Sequence, residues 1–513
     1  MKLTFLTESG PQVLDAQQGQ TLFQVLLTDC AIHMSAPCGG QGTCQKCTVY
    51  LQKETGEEAV LACRTLAEDG MVVRLPARET LEVATAENVD PSHILPDPEL
   101  RGYGIACDIG TTTVVCHLLD LSTGQRLGTC GEGNAQRVLG GDVISRIKAA
   151  SDGHLEQLQS TIIHQLSCMI QSLCAGAAIC PDQISRMSVA ANTTMCHLLT
   201  GLSPESIGVA PFTPLSLFGN CIDAKSLGLP FSGEVYIAPA ISGYVGGDIT
   251  AGMLAAGLDN AATPVLFIDV GTNGEMVLGC GDHFVCCSTA AGPAFEGAQI
   301  RYGMTAAPGA IHAVCHKDGQ VSCSVLGNVP ATGLCGSGLI DAIAVMLDLG
   351  AMDETGRMLD MDDDDIPDHL IPYMTLLDEE PAFLLTNGIS VTQSDVRKVQ
   401  LGKGAIAAGI QVLLKSSQTA YDHISALLLA GGFGSYLSPN SAARIGLIPA
   451  ELLPVTRAIG NTAAEGAQEI LLSSASRTRL AALQQDTAYK ELSGMPEFNN
   501  AYMEAMMFPE EDP

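Results

Sequence analysis

The feature that most constrains this chain is a buried apolar strand that ends in Asp-x-Gly-Thr and occurs twice. The two copies are residues 105–113 (IACDIGTTT) and 267–275 (FIDVGTNGE). A repeated strand-turn unit within a long α/β region indicates an internal duplication. The sequence therefore predicts two similar lobes, each built around one copy.

Each copy carries groups that suit a phosphate chain. The turn's backbone amides and hydroxyls can face phosphate oxygens, and the carboxylate of Asp108 or Asp269 can hold a hydrated Mg2+. Two copies from opposite lobes would clamp a polyphosphate between them, whereas ordinary strand ends with glycine turns are the structural alternative. The candidate phosphate-binding residues are Gly110, Thr111, Thr112, Thr113, Gly271, Thr272, Asn273 and Gly274.

A third strand ends in a glycine-rich turn, at residues 427–435 (LLLAGGFGS). Gly431, Gly432 and Gly434 would let the backbone approach a flat ring or a ribose. The order of the three motifs resembles that of the actin, sugar-kinase and heat-shock-protein (ASKHA) superfamily over about residues 104–480. The resemblance implies a two-lobed ATPase that binds ATP and Mg2+.

Two further segments fit the connections between the lobes of that superfamily, at residues 240–248 (AISGYVGGD) and 460–466 (GNTAAEG). Asp248 could orient the attacking water or act as a general base. It could equally be a structural carboxylate that caps the following helix. A glycine-rich helix start at residues 333–338 (GLCGSG) could line the cleft or only pack a helix on a strand.

Four cysteines near the N-terminus have the spacing of metal ligands. Cys38, Cys44 and Cys47 lie on one loop (CGGQGTCQKC), and Cys63 follows. Four thiolates can hold a 2Fe-2S cluster, and glycines allow the tight winding that points amides at the cluster sulfurs. The alternative is a structural zinc site, although zinc ribbons usually present two Cys-x2-Cys knuckles. The loop resembles that of plant-type and adrenodoxin-type ferredoxins, with a shorter interval before Cys63.

The chain divides into three parts. Residues 1–76 read as a strand hairpin, a helix from 21 to 30 and further strands, which predicts a small α+β ferredoxin-like (β-grasp) domain. Residues 77–102 are proline-containing and charged, and they read as a linker. Residues 103–513 form the two-lobed α/β ATPase domain.

Composition excludes several classes of protein. The formal net charge of -31 opposes binding to nucleic acid, which needs clustered cations. No stretch reaches the about 18 apolar residues of a membrane span, and no signal peptide is apparent, so we expect a cytoplasmic protein. Nineteen cysteines then read as metal ligands where clustered and as packing residues elsewhere, including Cys286, Cys287 and Cys335.

A ferredoxin-like domain fused to an ATPase resembles the reductive activators of corrinoid proteins over most of the chain. Residues 141–147 (GDVISRI), 192–195 (NTTM) and 491–493 (ELS) add to the resemblance. It implies ATP-dependent transfer of an electron from the 2Fe-2S cluster to an inactive Co(II) corrinoid protein of a methyltransferase system, which restores Co(I). It also implies an upstream electron donor.

Long members of that family carry an extra domain between ferredoxin and ATPase, whereas this chain has only the short linker. A homodimer remains possible, but one that depends on the extra domain is not expected. Three other functions stay open. They are activation of another low-potential enzyme, phosphorylation of a small molecule by a kinase with a redox domain, and nucleotide-switched electron transfer without hydrolysis.

Overall fold

The computed structural model describes most of the chain, and the ranges follow. They are residues 1–7, 10–26, 47–53, 56–76, 94–317, 319–360, 366–386, 388–431 and 437–510. Cys38, Cys44, Gly432, Gly434 and most of the predicted linker therefore lie outside the described residues.

The N-terminal region is a mixed five-stranded sheet in the order β2-β1-β5-β3-β4 with one short helix. Leu3, Phe5 and Val73 are fully buried because alternate residues of β1 and β5 face the helix. This arrangement agrees with the predicted β-grasp fold, although β4 was not predicted from its mostly exposed residues. The elements are β1 Lys2–Thr7, β2 Gly10–Asp15, α1 Leu22–Leu26, β3 Thr48–Lys53, β4 Gly56–Leu61 and β5 Val72–Arg74.

The end of the predicted linker is ordered against the rest of the chain. The backbone N–H of Asp97 donates to Leu472 O at 2.9 Å, and its carboxylate accepts from the Ser474 N–H at 2.8 Å. Leu100 is buried in the adjoining core. Residues 97–100 therefore anchor the start of the ATPase region.

The first lobe contains a six-stranded sheet in the order β10-β11-β9-β6-β7-β8. β6 pairs antiparallel with β7 and parallel with β9, and its residues alternate between two buried faces. The strands are β6 Tyr103–Ile109, β7 Thr113–Asp120, β8 Arg126–Gly133, β9 Ile184–Ala191, β10 Asn220–Asp223 and β11 Glu234–Ile237. The helices are α2 Val143–Ala149, α3 Leu155–Gly176, α4 Thr193–Thr200, α5 Ala224–Leu227 and α6 Gly247–Ala255.

The second lobe repeats the same pairing in the sheet β22-β21-β12-β13-β14-β23, where β12 pairs antiparallel with β13 and parallel with β21. Two three-stranded sheets, β16-β15-β17 and β18-β19-β20, extend it. The strands are β12 Val265–Val270, β13 Gly274–Cys280, β14 His283–Thr289, β15 Ala310–Lys317, β16 Gln320–Val325, β17 Gly333–Leu334, β18 Met374–Leu377, β19 Glu380–Thr386, β20 Ile389–Thr392, β21 Ala426–Ala430, β22 Thr456–Gly460 and β23 Thr487–Tyr489. The helices are α7 Gly336–Asp348, α8 Gln393–Ser416, α9 Pro439–Arg444, α10 Thr462–Leu472, α11 Ser474–Gln485 and α12 Pro496–Ala505.

The lobes meet where α6 packs against α10, which are the helices of the two predicted connecting segments. A Cβ at Gly466 would lie 2.1 Å from Ala251 O, so only glycine permits this approach. The duplicated sheets and the paired helices confirm the predicted two-lobed fold.

A short 3-10 helix, Ala135–Val138, lies between the first lobe and the N-terminal region. Asn134 caps it by accepting from the Gln136 N–H, and Val138 packs against the hydrophobic core of residues 1–76. In the described part of the chain, no helix has the length and apolar character needed to cross a bilayer.

Candidate functional site

The two Asp-x-Gly-Thr turns open into one cleft between the lobes. Residues 110–113 and 271–273 line it together with Asp108, Asp248 and Asp269. Gly274 does not line it, because this residue is buried, and a Cβ there would meet Ile406 at 2.7 Å. The structure therefore brings the predicted phosphate hairpins together, with Gly274 serving close packing.

Three carboxylates in the cleft crowd one another. Burial raises the pKa of Asp108 to about 6, against a hydrogen bond from Asn461 Nδ2 to its Oδ2 at 2.8 Å. Burial and then the charge of Asp108 raise the pKa of Asp248 to about 7. Burial and then the charges of Asp248 and Asp108 raise the pKa of Asp269 to about 8. Mg2+ usually keeps several waters and takes only one or two protein carboxylates, so these groups fit a hydrated cation, although the described carboxylates do not converge as three direct ligands.

Asp248 does not cap the helix that follows it. Gly246 occupies the N-cap position of α6, and Asp248 is the second helical residue. Its Oδ1 accepts a hydrogen bond from the Ile249 N–H at 2.9 Å. Asp248 is thus not the N-cap residue, but its carboxylate satisfies a first-turn N–H of that helix and also lines the cleft.

The first hairpin rests on a buried arginine that the sequence analysis did not single out. Arg146 is fully buried and donates from Nη2 to Thr111 O at 2.5 Å and from Nε to Gly140 O at 2.9 Å. Burial lowers its pKa to about 9. The only sequence signal was its place in residues 141–147, which were noted for family resemblance.

Two asparagines complete this support. Asn134 Nδ2 donates to Gly110 O at 2.8 Å, and Asn192 Nδ2 donates to Thr111 Oγ1 at 3.0 Å. Asn192 is also the N-cap of α4, accepting from the Met195 N–H at 2.9 Å. The motif at residues 192–195 therefore positions the hairpin.

A second residue that sequence reasoning missed is Glu296. Its Oε2 accepts hydrogen bonds from Thr112 of the first hairpin and from Thr272 of the second, the latter at 2.9 Å. It comes from residues 292–297 (GPAFEG), which match none of the motifs considered.

The third motif begins at the same cleft. Gly431 lines it with φ +99°, and a Cβ there would lie 2.7 Å from Asp269 Oδ1. The remaining glycines of this turn, Gly432 and Gly434, lie outside the described residues. Cys335, Gly336 and Ser337 at the start of α7 also line the cleft, so the segment 333–338 both packs and faces the site.

Two of the four predicted cluster ligands are described, and they meet. Cys47 Sγ and Cys63 Sγ lie 3.2 Å apart, well beyond the roughly 2.05 Å of a disulfide, and both residues are buried. Cys38 and Cys44 lie outside the described residues. Among those described, no group of three or more Cys, His, Asp or Glu is placed to hold a metal.

Other cysteines behave as packing residues. Cys107 and Cys116 lie 3.3 Å apart inside the first-lobe core, where burial raises the pKa of Cys107. Burial likewise raises the pKa of Cys286 and of Cys287, the latter to about 12. A protonated thiol is a poor metal ligand, which agrees with the packing role expected for the last two.

Comparisons with known proteins cover nearly the whole chain. Residues 263–513 match the family model "C-terminal domain of RACo the ASKHA domain", and residues 103–261 match "RACo middle region". A curated relative, the corrinoid activation enzyme RamQ of Eubacterium limosum, is 32% identical over 588 residues, covering 96% of this chain and 97% of the relative. The alignment exceeds the 513 residues of this chain, so the relative carries insertions.

A second relative and a solved structure agree with the first. The [Co(II) methylated amine-specific corrinoid protein] reductase of Methanosarcina barkeri is 26% identical over 403 residues, covering 72% of this chain and 70% of the relative. A structure titled "Reductive activator for corrinoid, iron-sulfur protein" is 29% identical with a TM-score of 0.74, and the match covers 100% of this chain and 99% of that one. This chain belongs to the family of ATPase-containing reductive activators of corrinoid proteins.

Proposed function

We propose that this chain is an ATP-dependent activase that transfers one electron from a 2Fe-2S cluster to the Co(II) centre of an inactive corrinoid protein. The cluster is oxidised by one electron, and the cobalt is reduced to Co(I), the state required for methyl transfer. The observation that carries this proposal is the nearly full-length relation to a corrinoid activation enzyme. The partner proposed is the corrinoid protein of a methyltransferase system.

The nucleotide would bind in the interlobe cleft. Both predicted hairpins and Gly431 line this single cavity, which supports ATP placed with its phosphates between the hairpins. Asp108, Asp248 and Asp269 would hold Mg2+, which would neutralise phosphate charge when bound. Arg146 holds the backbone of the first hairpin in place behind the phosphates.

The cluster would be held by Cys38, Cys44, Cys47 and Cys63. The approach of the two described thiols, both buried, supports this ligand set. No disulfide forms among the described cysteines, which fits a reducing compartment such as the cytoplasm. An upstream low-potential donor would return the electron that the cluster loses.

The cluster ligands can be tested separately from the nucleotide site. Cys44→Ser should abolish the visible absorbance of the cluster and leave MgATP binding intact, while Cys280→Ser serves as a matched control with normal absorbance. A normal spectrum in Cys44→Ser would remove this residue from the ligand set.

An uphill difference in reduction potential between the cluster and the cobalt centre would explain why ATP is needed. Plant-type clusters have potentials of about -400 mV. Each further 60 mV or so of uphill gap costs a factor of about ten in a one-electron equilibrium. Binding energy of a few kcal/mol, released when ATP closes the cleft on the partner complex, therefore decides whether the electron moves.

The decisive experiment is anaerobic spectroscopy of a purified Co(II) corrinoid protein mixed with this protein and a reductant, with and without MgATP. Co(I) absorbance that appears only with MgATP supports the proposal. Equal Co(I) formation without ATP would remove the nucleotide from the reaction. No Co(I) across several methyltransferase corrinoid proteins would point to another low-potential acceptor.

A further inference from the structure

Glu296 is held rigidly at the mouth of both hairpins. It ends a 3-10 helix, Pro293–Glu296, which is flanked by Gly292 and Gly297 at positive φ values of 77° and 75°. The preceding residue, Phe295, is buried against Gly402 of α8. A Cβ on Gly402 would lie 2.9 Å from the Phe295 ring. The backbone at Glu296 is therefore fixed by packing, and its side chain faces the cleft.

A single oxygen of this side chain joins the two lobes. Oε2 accepts from the hydroxyl of Thr112, which belongs to the first lobe, and from the hydroxyl of Thr272 at 2.9 Å, which belongs to the second. One carboxylate oxygen thus links hydroxyls on both sides of the cleft. A carboxylate oxygen offers these donors the same acceptor chemistry as a phosphate oxygen.

Glu296 lies near charged groups of both signs. Arg146, behind the first hairpin, interacts attractively with Glu296. Asp269 interacts repulsively with it. A phosphate group placed between the hairpins would add negative charge beside the carboxylate and compete for the same two hydroxyls.

We propose that Glu296, by bridging Thr112 and Thr272, takes the place of an acceptor oxygen of a nucleotide phosphate, so that ATP must compete with it for the two hydroxyls. The inference rests on the proposed nucleotide site and adds a positioning residue to it. Displacement by ATP replaces a link from the chain's own carboxylate with a link through the ligand.

The proposal predicts that neutralising Glu296 increases the affinity for MgATP. Glu296→Gln keeps the size of the side chain and an oxygen acceptor, but it removes the charge that repels phosphate. The variant should bind MgATP about tenfold more tightly than the unmodified chain, the change expected from one charge-assisted hydrogen bond. Loss of a merely structural residue would weaken binding or leave it unchanged.

The measurement is isothermal calorimetry of MgATP binding to the full chain, with adenosine as a second ligand. Adenosine does not reach the hairpins, so its affinity should be the same in both proteins. Glu465→Gln is the matched control, because Glu465 lines the same cleft and is not hydrogen-bonded to either threonine. Burial raises the pKa of Glu465 to about 7, so the titrations are run at pH 8.5, where it is charged. We expect Glu465→Gln to change MgATP affinity less than about threefold, which in free energy is less than half of the tenfold effect expected for Glu296→Gln.

Unchanged or weaker MgATP binding by Glu296→Gln would overturn the inference while leaving the nucleotide site in place. An equal gain in Glu465→Gln would also overturn it, because the effect would then be general electrostatics. A wild-type chain that binds no MgATP would overturn the nucleotide site and the inference together. If Glu296→Gln does not fold, Glu296→Asp is measured instead. Its shorter side chain cannot reach both hydroxyls, so MgATP binding should again tighten, by a smaller factor, and no tightening would overturn the bridge.

Discussion

The two hairpins share a sequence pattern and a strand pairing, yet the protein surrounds them differently. In the first, Asp108 accepts a hydrogen bond from Asn461, and Arg146 and Asn134 donate to the turn's carbonyls. In the second, the neutral hydroxyl of Thr289 donates to Gly274 O at 3.2 Å. Within the part of the chain that the structure describes, no donor reaches the Asp269 carboxylate.

This difference shows that a duplicated motif repeats local geometry without repeating electrostatics. The first hairpin carries its own compensating donors and a buried cation. In the second, Asp269 faces the carboxylates of Asp248 and Asp108. No group in the described part of the chain offsets its negative charge, so a cation would have to come from solution. The first hairpin is therefore a preformed half of the site, whereas the second would need the proposed Mg2+ to offset its charge.

The largest expected effect comes from removing the uncompensated carboxylate. Asp269→Ala should lower MgATP turnover at least about a hundredfold, the upper end for loss of groups that support a metal. The visible spectrum of the cluster should not change. Asp108→Ala is the matched variant, and its loss should be smaller because Asn461 already satisfies part of that site. A steady-state ATPase assay with an equal or larger loss in Asp108→Ala would contradict the asymmetry.

Removing the buried positive charge of Arg146, behind the first hairpin, should reduce the stability of the protein. Arg146→Ala leaves the buried carbonyls of Thr111 and Gly140 without their donor, and it should lower the free energy of unfolding by about 3 kcal/mol. In thermal unfolding this corresponds to a decrease in Tm of roughly 3–4 °C for a cooperative unit as long as residues 103–513, at about 2.1 cal/mol/K of unfolding entropy per residue. The exposed Arg457→Ala is the control, with little expected change. An unaltered Tm in Arg146→Ala would show that the first hairpin does not depend on it.

The raised carboxyl pKa values predict how Mg2+ and pH act together. A pKa raised from 3.8 means that the folded protein holds the proton more tightly than the unfolded chain. These carboxyls therefore stabilise the fold at low pH, and that contribution is lost as pH rises through about 6, 7 and 8. Mg2+ should restore Tm above about pH 7 and have little effect at pH 5.

Asp269→Asn tests the part of this pH dependence that comes from the aspartate with the highest pKa. The variant should lose most of the decrease in Mg2+-free stability above pH 7 and show a shallower decrease at lower pH, where Asp108 and Asp248 still release their protons. Differential scanning fluorimetry across that range measures both. Equal stabilisation by Mg2+ at pH 5 and pH 9 would contradict the assignment of the three aspartates as its ligands.

The smallest effect should come from making the first hairpin more like the second. Asn461→Ser keeps the N-cap of α10, where Asn461 now accepts from the Ala464 N–H, but serine is too short to reach Asp108. A larger fraction of Asp108 is then protonated at pH 7, and MgATP affinity should fall about threefold, as expected for one lost hydrogen bond. The two proteins should converge at pH 9. A persistent difference there would mean that Asn461 contacts the nucleotide directly.

The hairpins could be predicted because their signal is local. An apolar strand followed by Asp-x-Gly-Thr specifies both the turn and its neighbours in sequence, and the strand pairing confirms the duplication. The β4 strand was missed since its residues are mostly exposed and lack the alternation of a half-buried strand. The helix predicted to reach residue 30 is described only to Leu26.

Glu296 and Arg146 could not be predicted, for different physical reasons. Glu296 meets Thr112 across 184 residues, a contact that exists only because the lobes pack against each other. Arg146 sits on a short helix where an arginine is ordinarily exposed, and its full burial follows from the carbonyls of Thr111 and Gly140 that converge on it. Long-range packing, which no motif encodes, decides both positions.

The 3-10 helix Ala135–Val138 gives the chain a direct mechanical link between its two chemistries. At one end, Asn134 holds the carbonyl of Gly110 in the phosphate hairpin, and at the other, Val138 supports the core of the iron-sulfur domain. The carbonyl of Gly110 and the core of residues 1–76 are therefore connected through the four residues of this helix. A displacement of Gly110 would reach that core by this route.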